Sequence, residues 1–132
     1  MPDCIFCQVI RGESPSYKLY EDKDFVAILD IFPVSRGHTL VLPKKHYQWT
    51  YEVPEFGMYF EIARKMSVAI QKGLNAPWVQ FFTHGLIEHA HIHVTPRYDD
   101  VKDGMLLPKW DEPDKLTKEE FEEIAEKIRE SL

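Results

Sequence analysis

An alternation of histidines with apolar residues late in the chain restricts the fold more than any other feature. Residues 88–95 read EHAHIHVT. Because side chains alternate between the two faces of a strand, this pattern predicts a strand with three imidazoles on one face and Ala90, Ile92 and Val94 in the core. Histidines two residues apart on a strand lie about 6 to 7 Å apart, so we expect one ligand to contact two of them.

The three imidazoles indicate a function, because gathering them costs desolvation and, when they are protonated, mutual repulsion. One chemistry that uses them is a metal held by a His-x-His pair on a strand. A second is covalent catalysis, in which one imidazole attacks phosphorus while its neighbours orient it and bind oxygens. Passive anion binding is a third. The spacing alone leaves all three open.

The other patterns predict an α+β fold built on an antiparallel sheet of about five strands. Short apolar runs between turn residues indicate strands over 17–21, 25–30, 38–43 and 78–83, in addition to 88–95. A short N-terminal helix precedes them. Helical spacing after Pro54, placed at the first helical position, predicts one long central helix that ends near Asn75. Thr117 and Glu120 form a capping box that begins a C-terminal helix.

Length and charge restrict the class of protein. The 132 residues predict a single domain, residues 1–132, with a core over about 4–98 and an extension with a helix over 99–132. A net charge of −6 argues against a nucleic-acid duplex as partner. No apolar run approaches the roughly 20 residues of a membrane span. The start lacks the pattern of a secretory signal, so the cytoplasm is the expected compartment.

Two cysteines, Cys4 and Cys7, stand at the N-terminus. They are interpreted as buried thiols, as a redox pair or as half of a zinc site. A redox C-x-x-C normally follows a strand, and only three residues precede this one, which argues against redox chemistry. Zinc requires two further ligands.

The alternating segment resembles the signature of the histidine triad family, His-φ-His-φ-His-φ-φ with φ apolar, and Thr95 is its one loose fit. Other segments resemble that family in order and spacing: Cys4-Ile5-Phe6-Cys7, Tyr20-Glu21-Asp22, Leu29-Asp30-Ile31, GHTLVLPKKH over 37–46, and Pro96-Arg97-Tyr98. The resemblance covers the chain from Cys4 to about Tyr98.

The resemblance implies a nucleotide-binding enzyme, usually a homodimer, that cleaves the α-phosphate of a purine nucleotide from its leaving group. Substrates would be AMP-type phosphoramidates, dinucleoside polyphosphates or nucleotidyl adducts. His91 would be the nucleophile and form a nucleotidyl intermediate that water resolves. His93 would contact the phosphate, His38 would orient the triad, and His89 would complete it. A partner protein of another class, stabilised by zinc and binding nucleotide with little turnover, is the alternative.

The resemblance also implies the binding residues. Asp30 would accept hydrogen bonds from the ribose hydroxyls. The base would lie against apolar side chains, namely Ile5, Phe6, Val9, Ile28, Ile31 and Leu40. A structural zinc ion, one per chain, would be held by four residues that form a closed tetrahedral set: Cys4, Cys7, His46 and His89.

The chain departs from the family pattern just before the triad. Members commonly carry an Asn, a Gly and a longer loop with Gln-Ser/Thr-Val, whereas residues 83–88 read THGLIE. Thr83 or His84 would replace the phosphate-binding amide. Leu86 cannot replace the hydroxyl that meets the leaving group. Substrate choice and rate are the properties that this departure affects.

Overall fold

A computed structural model describes residues 4–98 and 115–132. Its helices and strands are, in chain order, α1 (Ile5–Ile10), β1 (Lys18–Glu21), β2 (Phe25–Leu29), β3 (Thr39–Pro43), α2 (Phe56–Leu74), β4 (Trp78–Phe82), β5 (Ile92–Arg97) and α3 (Lys118–Glu130). A turn of 3-10 helix, Thr50–Glu52, precedes α2. The strands form one antiparallel sheet in the order β1-β2-β3-β5-β4. The predicted α+β fold is confirmed. Residues 99–114 of the predicted extension lie outside the described residues.

Both faces of the sheet are covered, which explains why β2 and β3 are buried along their whole length. On one face, β2 contributes Phe25, Ala27 and Leu29 to the core beneath α2 and α3. On the other face, Val26 and Ile28 pack with Phe6 of α1. The period of two along β2 therefore separates a structural core from a second apolar layer beneath α1.

Capping residues account for the ends of the helices. Asn75 ends α2 with a φ of 55°, the left-handed conformation that Asn tolerates. Thr117 and Glu120 form the predicted capping box of α3. Pro54 was predicted at the first helical position, which is wrong, because Glu55 is the residue that precedes the first turn. Gly73 lies where α2 meets α3, and a Cβ there would stand 2.6 Å from the carbonyl oxygen of Lys127.

The strand predicted over 88–95 begins four residues later, at Ile92, and continues to Arg97. Its ladder with β3 starts at the pair Val41 and Ile92. Before that point the chain leaves the sheet, and the Ala90 N–H donates to the Tyr47 carbonyl at 2.7 Å. Of the three triad histidines, only His93 therefore lies on β5.

Among the helices within 4–98 and 115–132, none is long and apolar enough to cross a membrane.

Candidate active site and metal centre

A cavity of about 310 Å³ opens between α1 and the adjacent face of the sheet. Its lining includes the six residues expected to contact the base, namely Ile5, Phe6, Val9, Ile28, Ile31 and Leu40, together with Asp30, His84, His91 and His93. Phe32 and Ile87 also line it, and the sequence analysis missed both. Phe32 is 68% exposed at the rim, so it belongs to no buried stripe that periodicity could reveal.

His91 presents one nitrogen with a lone pair. Its Nδ1 lies 2.7 Å from the backbone oxygen of His89. Because a carbonyl oxygen only accepts, Nδ1 carries the proton of the neutral ring and Nε2 has none. His91 is fully buried, and its Nε2 has no hydrogen-bond partner among the described residues. Such an atom in a cavity is a candidate nucleophile or metal ligand.

His93 is oriented by a relay that starts at the backbone. The Val34 N–H donates to His38 Nδ1 at 3.2 Å, so the His38 proton is on Nε2. This Nε2–H donates to His93 Nδ1 at 2.9 Å, and Asp30 Oδ2 lies 3.5 Å from the same nitrogen. The neutral His93 ring consequently carries its proton on Nε2, and His93 is one of the residues that line the cavity.

Burial keeps these rings neutral. It lowers the pKa of His38 to about 3, of His91 to about 4 and of His93 to about 2, and neighbouring imidazoles add to each shift. The contact between His38 and Asp30 is therefore not an ion pair. Burial also raises the pKa of the Asp30 carboxyl to about 6, opposed by the Phe32 N–H that donates to Oδ1 at 2.8 Å. The cluster brings proton donors and a lone pair together without a positive charge.

Residues 83–88, where the chain departs from the family pattern, do not all reach the cavity. His84 lines the cavity, and its Nε2 lies 3.0 Å from His93 Nε2. Thr83 is exposed and lies outside the lining residues. Leu86 is 85% exposed and also lies outside the lining. Of the two residues expected to replace the family's amide, the fold brings only His84 to the site.

A second cluster gathers the four expected metal ligands. Cys4 Sγ lies 3.3 Å from His89 Nδ1, and Cys7 Sγ lies 3.3 Å from His46 Nδ1. One ligand atom from each of the four residues lies within 4.8 Å of the other three. His89 Nε2–H donates to the Pro43 carbonyl at 2.9 Å, which leaves the Nδ1 lone pair facing the thiols. A backbone carbonyl on the outer nitrogen is typical of a metal-ligating histidine. The donor set fits a metal site.

This arrangement divides the three triad histidines between two sites. The His89 side chain faces Cys4 and Cys7, whereas His91 and His93 face the cavity. The resemblance to the histidine triad family implies a catalytic role for His89 as well, but its ring is not among the residues that line the cavity. Its backbone carbonyl, which accepts the His91 Nδ1–H, is its link to the imidazoles of the cavity.

Comparison with known proteins identifies the family of the chain. A family model described as "HIT domain" matches residues 11–100. The chain belongs to the histidine triad (HIT) family. Members of this family are nucleotide-binding, hydrolase-like proteins.

Three relatives show how far the similarity extends. A solved histidine triad nucleotide-binding protein from Sulfolobus tokodaii is 34% identical, covers 97% of this chain and 91% of its own, and superposes with a TM-score of 0.84. A Zn-bound histidine triad protein from Mycobacterium smegmatis is 29% identical over 98% of this chain and 93% of its own, with a TM-score of 0.78. An adenylylsulfatase from Arabidopsis thaliana is 39% identical over 72% of this chain and 52% of its own length.

Proposed function

We propose that this HIT protein cleaves the bond between the α-phosphate of a purine nucleotide and its leaving group through a covalent nucleotidyl-His91 intermediate. The observation that carries the proposal is the buried, unprotonated His91 Nε2 in the cavity. An imidazole is a good nucleophile when neutral and a good leaving group when protonated, which suits a transfer in two steps.

In the first step, His91 Nε2 attacks the α-phosphorus, the bond to the leaving group breaks with its electron pair on the departing atom, and that atom takes a proton from solvent. In the second step, water attacks the same phosphorus and releases one proton to solvent, and the bond to Nε2 breaks with its electron pair on nitrogen, which restores the neutral imidazole. Asp30 accepts hydrogen bonds from the ribose, and the apolar residues of the cavity surround the base. His93 donates its Nε2–H to the phosphate, and His38 is its positioning residue.

The metal at Cys4, Cys7, His46 and His89 is proposed to be structural zinc. Four protein ligands fill a tetrahedral shell and leave no position for substrate, and two thiolates with two imidazoles are typical zinc ligands. The thiols fit the reducing cytoplasm, the proposed compartment. When bound, the ion would supply a crosslink between α1 and the segments that carry His46 and His89.

The second copy of a homodimer is proposed to pair through β4. Within the described residues β4 forms an edge of the sheet, and Phe81 on it is 44% exposed. Edge strands present backbone groups that can pair with another chain. Light scattering on the purified protein should give twice the chain mass of 15.6 kDa.

The experiment that tests the chemistry compares the wild type with His91→Asn. Mixed with excess AMP phosphoramidate and quenched in base, in which a phosphorus–nitrogen bond to histidine survives, the wild type should release a first equivalent of amine per site, continue to turn over, and trap labelled nucleotide on the protein. His91→Asn should bind AMP normally, because the lining residues are unchanged, yet lose hydrolysis by at least about 1,000-fold. Hydrolysis at the wild-type rate by His91→Asn would refute the covalent mechanism. A single burst without turnover in the wild type would favour a binding protein.

A further inference from the structure

The short helix α1 takes part in two sites at once. Cys4, its N-cap residue, and Cys7 supply two of the four proposed metal ligands. Ile5, Phe6 and Val9 line the cavity. Residues three apart share one face of a helix, so the thiols lie together and the neighbouring face of α1 forms a wall of the cavity.

Two buried side chains anchor α1. The helix has six residues, Ile5–Ile10, and a helix that short depends on tertiary packing for its stability. Its buried residues are Phe6 and Cys7, whereas Ile5 is 48% exposed and Val9 is half-buried. One of the two anchors is therefore a proposed metal ligand. Without the metal, the position of α1 depends mainly on the packing of Phe6.

Phe6 lies between the metal site and the cavity. Its ring centroid is 5.8 Å from that of His89, a proposed metal ligand, and 5.5 Å from that of His91, the proposed nucleophile. On the sheet, Phe6 packs with Val26 and Ile28. A displacement of the helix or of the His89 ring would therefore change the wall of the cavity, because one ring contacts both sites.

The docked position of α1 favours both ligands. A metal held by Cys4 and Cys7 together with His46 and His89 would tie the helix to the segments that carry the two histidines, and the cavity wall would be in place before a nucleoside binds. Without the metal, the apparent affinity for a nucleoside falls in proportion to the fraction of molecules in which α1 is docked. Such coupling is reciprocal, so a bound nucleoside strengthens metal binding by the same factor.

We propose that metal binding and nucleoside binding are positively coupled through α1, with Phe6 as the positioning residue that the two sites share. The metal thereby regulates the nucleotide cavity without contacting the nucleotide. This inference rests on the proposed function, since the nucleoside is the ligand whose affinity changes.

The test is a thermodynamic cycle on the full chain, measured below the onset of unfolding of the metal-free protein. Calorimetry gives the adenosine affinity of the zinc-loaded and the chelator-treated wild type, and competition with a chelator gives the zinc affinity with and without adenosine. Removal of zinc should weaken adenosine binding by about 5- to 150-fold, the usual range of coupling between two sites. Adenosine should raise the zinc affinity by the same factor.

A variant outside α1 separates metal occupancy from changes in the helix itself. His46 is a proposed ligand that lies neither on α1 nor in the cavity lining. With zinc just sufficient to fill the wild type, His46→Ala should bind adenosine as weakly as the metal-free wild type. Excess zinc should restore the affinity, because it fills the weakened site. Gln48→Ala, an exposed neighbour on the same segment, should match the wild type at both zinc concentrations.

Hydrogen exchange locates the change in the chain. The Gln8 N–H donates to the Cys4 carbonyl and the Arg11 N–H to the Cys7 carbonyl, each at 3.0 Å. These two amides should exchange faster when zinc is removed and slow again when adenosine is added. The amides of α3 (Lys118–Glu130), which packs on the opposite face of the sheet, should exchange at the same rate with and without zinc.

Equal adenosine affinity with and without zinc would overturn the coupling, as would a wild type that binds no zinc. Faster exchange in α3 as well as α1 would also overturn it, because the metal would then stabilise the whole fold rather than the helix. If the metal-free wild type binds adenosine as tightly as the loaded protein and still forms the His91 adduct, this inference fails and the proposed function stands. If the zinc-loaded wild type binds neither adenosine nor AMP, the proposed function fails first.

Discussion

Substitution of Cys4 by serine removes one proposed metal ligand and preserves the local structure of α1. Cys4 has two roles in the structure: its Sγ lies in the metal cluster, and it caps α1 by accepting the Cys7 N–H at 3.4 Å. Serine is among the preferred N-cap residues. The variant Cys4→Ser therefore retains a cap and loses a soft metal ligand, so its stability reports on the metal.

The expected loss follows from linkage between metal binding and folding. A change next to a ligand lowers metal affinity by about 10- to 100-fold, and removal of a ligand should cost at least the upper value. With the metal in excess and bound to the folded state only, a 100-fold weaker site lowers the free energy of unfolding by about 2.7 kcal/mol. For a chain of this length that shift lowers Tm by about 10 °C. Phe6, which is 7% exposed, still packs α1 on the sheet.

The assay is thermal unfolding of the wild type and Cys4→Ser, each with excess zinc and each with a chelator. With zinc, the variant should melt about 10 °C below the wild type. With chelator, the two curves should coincide, because the cap and the packing are preserved. If the 10 °C difference persists in chelator, the thiol acts through packing and the metal argument is wrong. Elemental analysis of the wild type should find about one zinc per chain.

Two further predictions concern packing and pH. Gly73→Ala should lower the free energy of unfolding by about 1 kcal/mol. The cost of overpacking against the Lys127 backbone is larger than the stabilisation from the higher helix propensity of alanine. Gly57→Ala, in the same helix with no atom within 4 Å of its Cβ, should raise the free energy of unfolding by about 0.5 to 1 kcal/mol in denaturant titrations. Burial lowers the pKa of His38 to about 3, so the neutral ring contributes fully to the free energy of unfolding above pH 6.5. Below that pH the contribution of His38 decreases by about 1.4 kcal/mol per pH unit. In an Asp30→Asn background, which removes the carboxyl facing His38, His38→Asn should reduce this slope, and an unchanged slope would show that His38 is not the source of the pH dependence.

Local patterns predicted those parts of the fold that local chemistry determines. The capping box at Thr117 and the end of α2 near Asn75 depend on residues adjacent in sequence, and both lie where the sequence predicts them. The residues predicted to lie in the core around the triad are also as predicted, since Ala90, Ile92 and Val94 are buried. The resemblance to the histidine triad family supplied the long-range information, namely that His46 belongs with the cysteines.

The misplaced start of β5 shows where a periodic pattern fails. Alternation predicts which way side chains point but not whether a neighbouring strand is present to pair with them. At His89 the backbone has left β3, and the ring turns toward Cys4 and Cys7.

The division of the triad between two sites gives a physical reason why the proposed metal site lies next to the proposed nucleophile, His91. The His89 side chain is held at both ring nitrogens, by the Pro43 carbonyl and by the thiols of the metal cluster. Fixing this ring fixes the peptide whose carbonyl accepts the His91 Nδ1–H at 2.7 Å. That hydrogen bond keeps the His91 proton on Nδ1 and the lone pair on Nε2. A cation bound by His89 would therefore support the proposed nucleophile through the His89 backbone carbonyl, without contacting the proposed nucleotide.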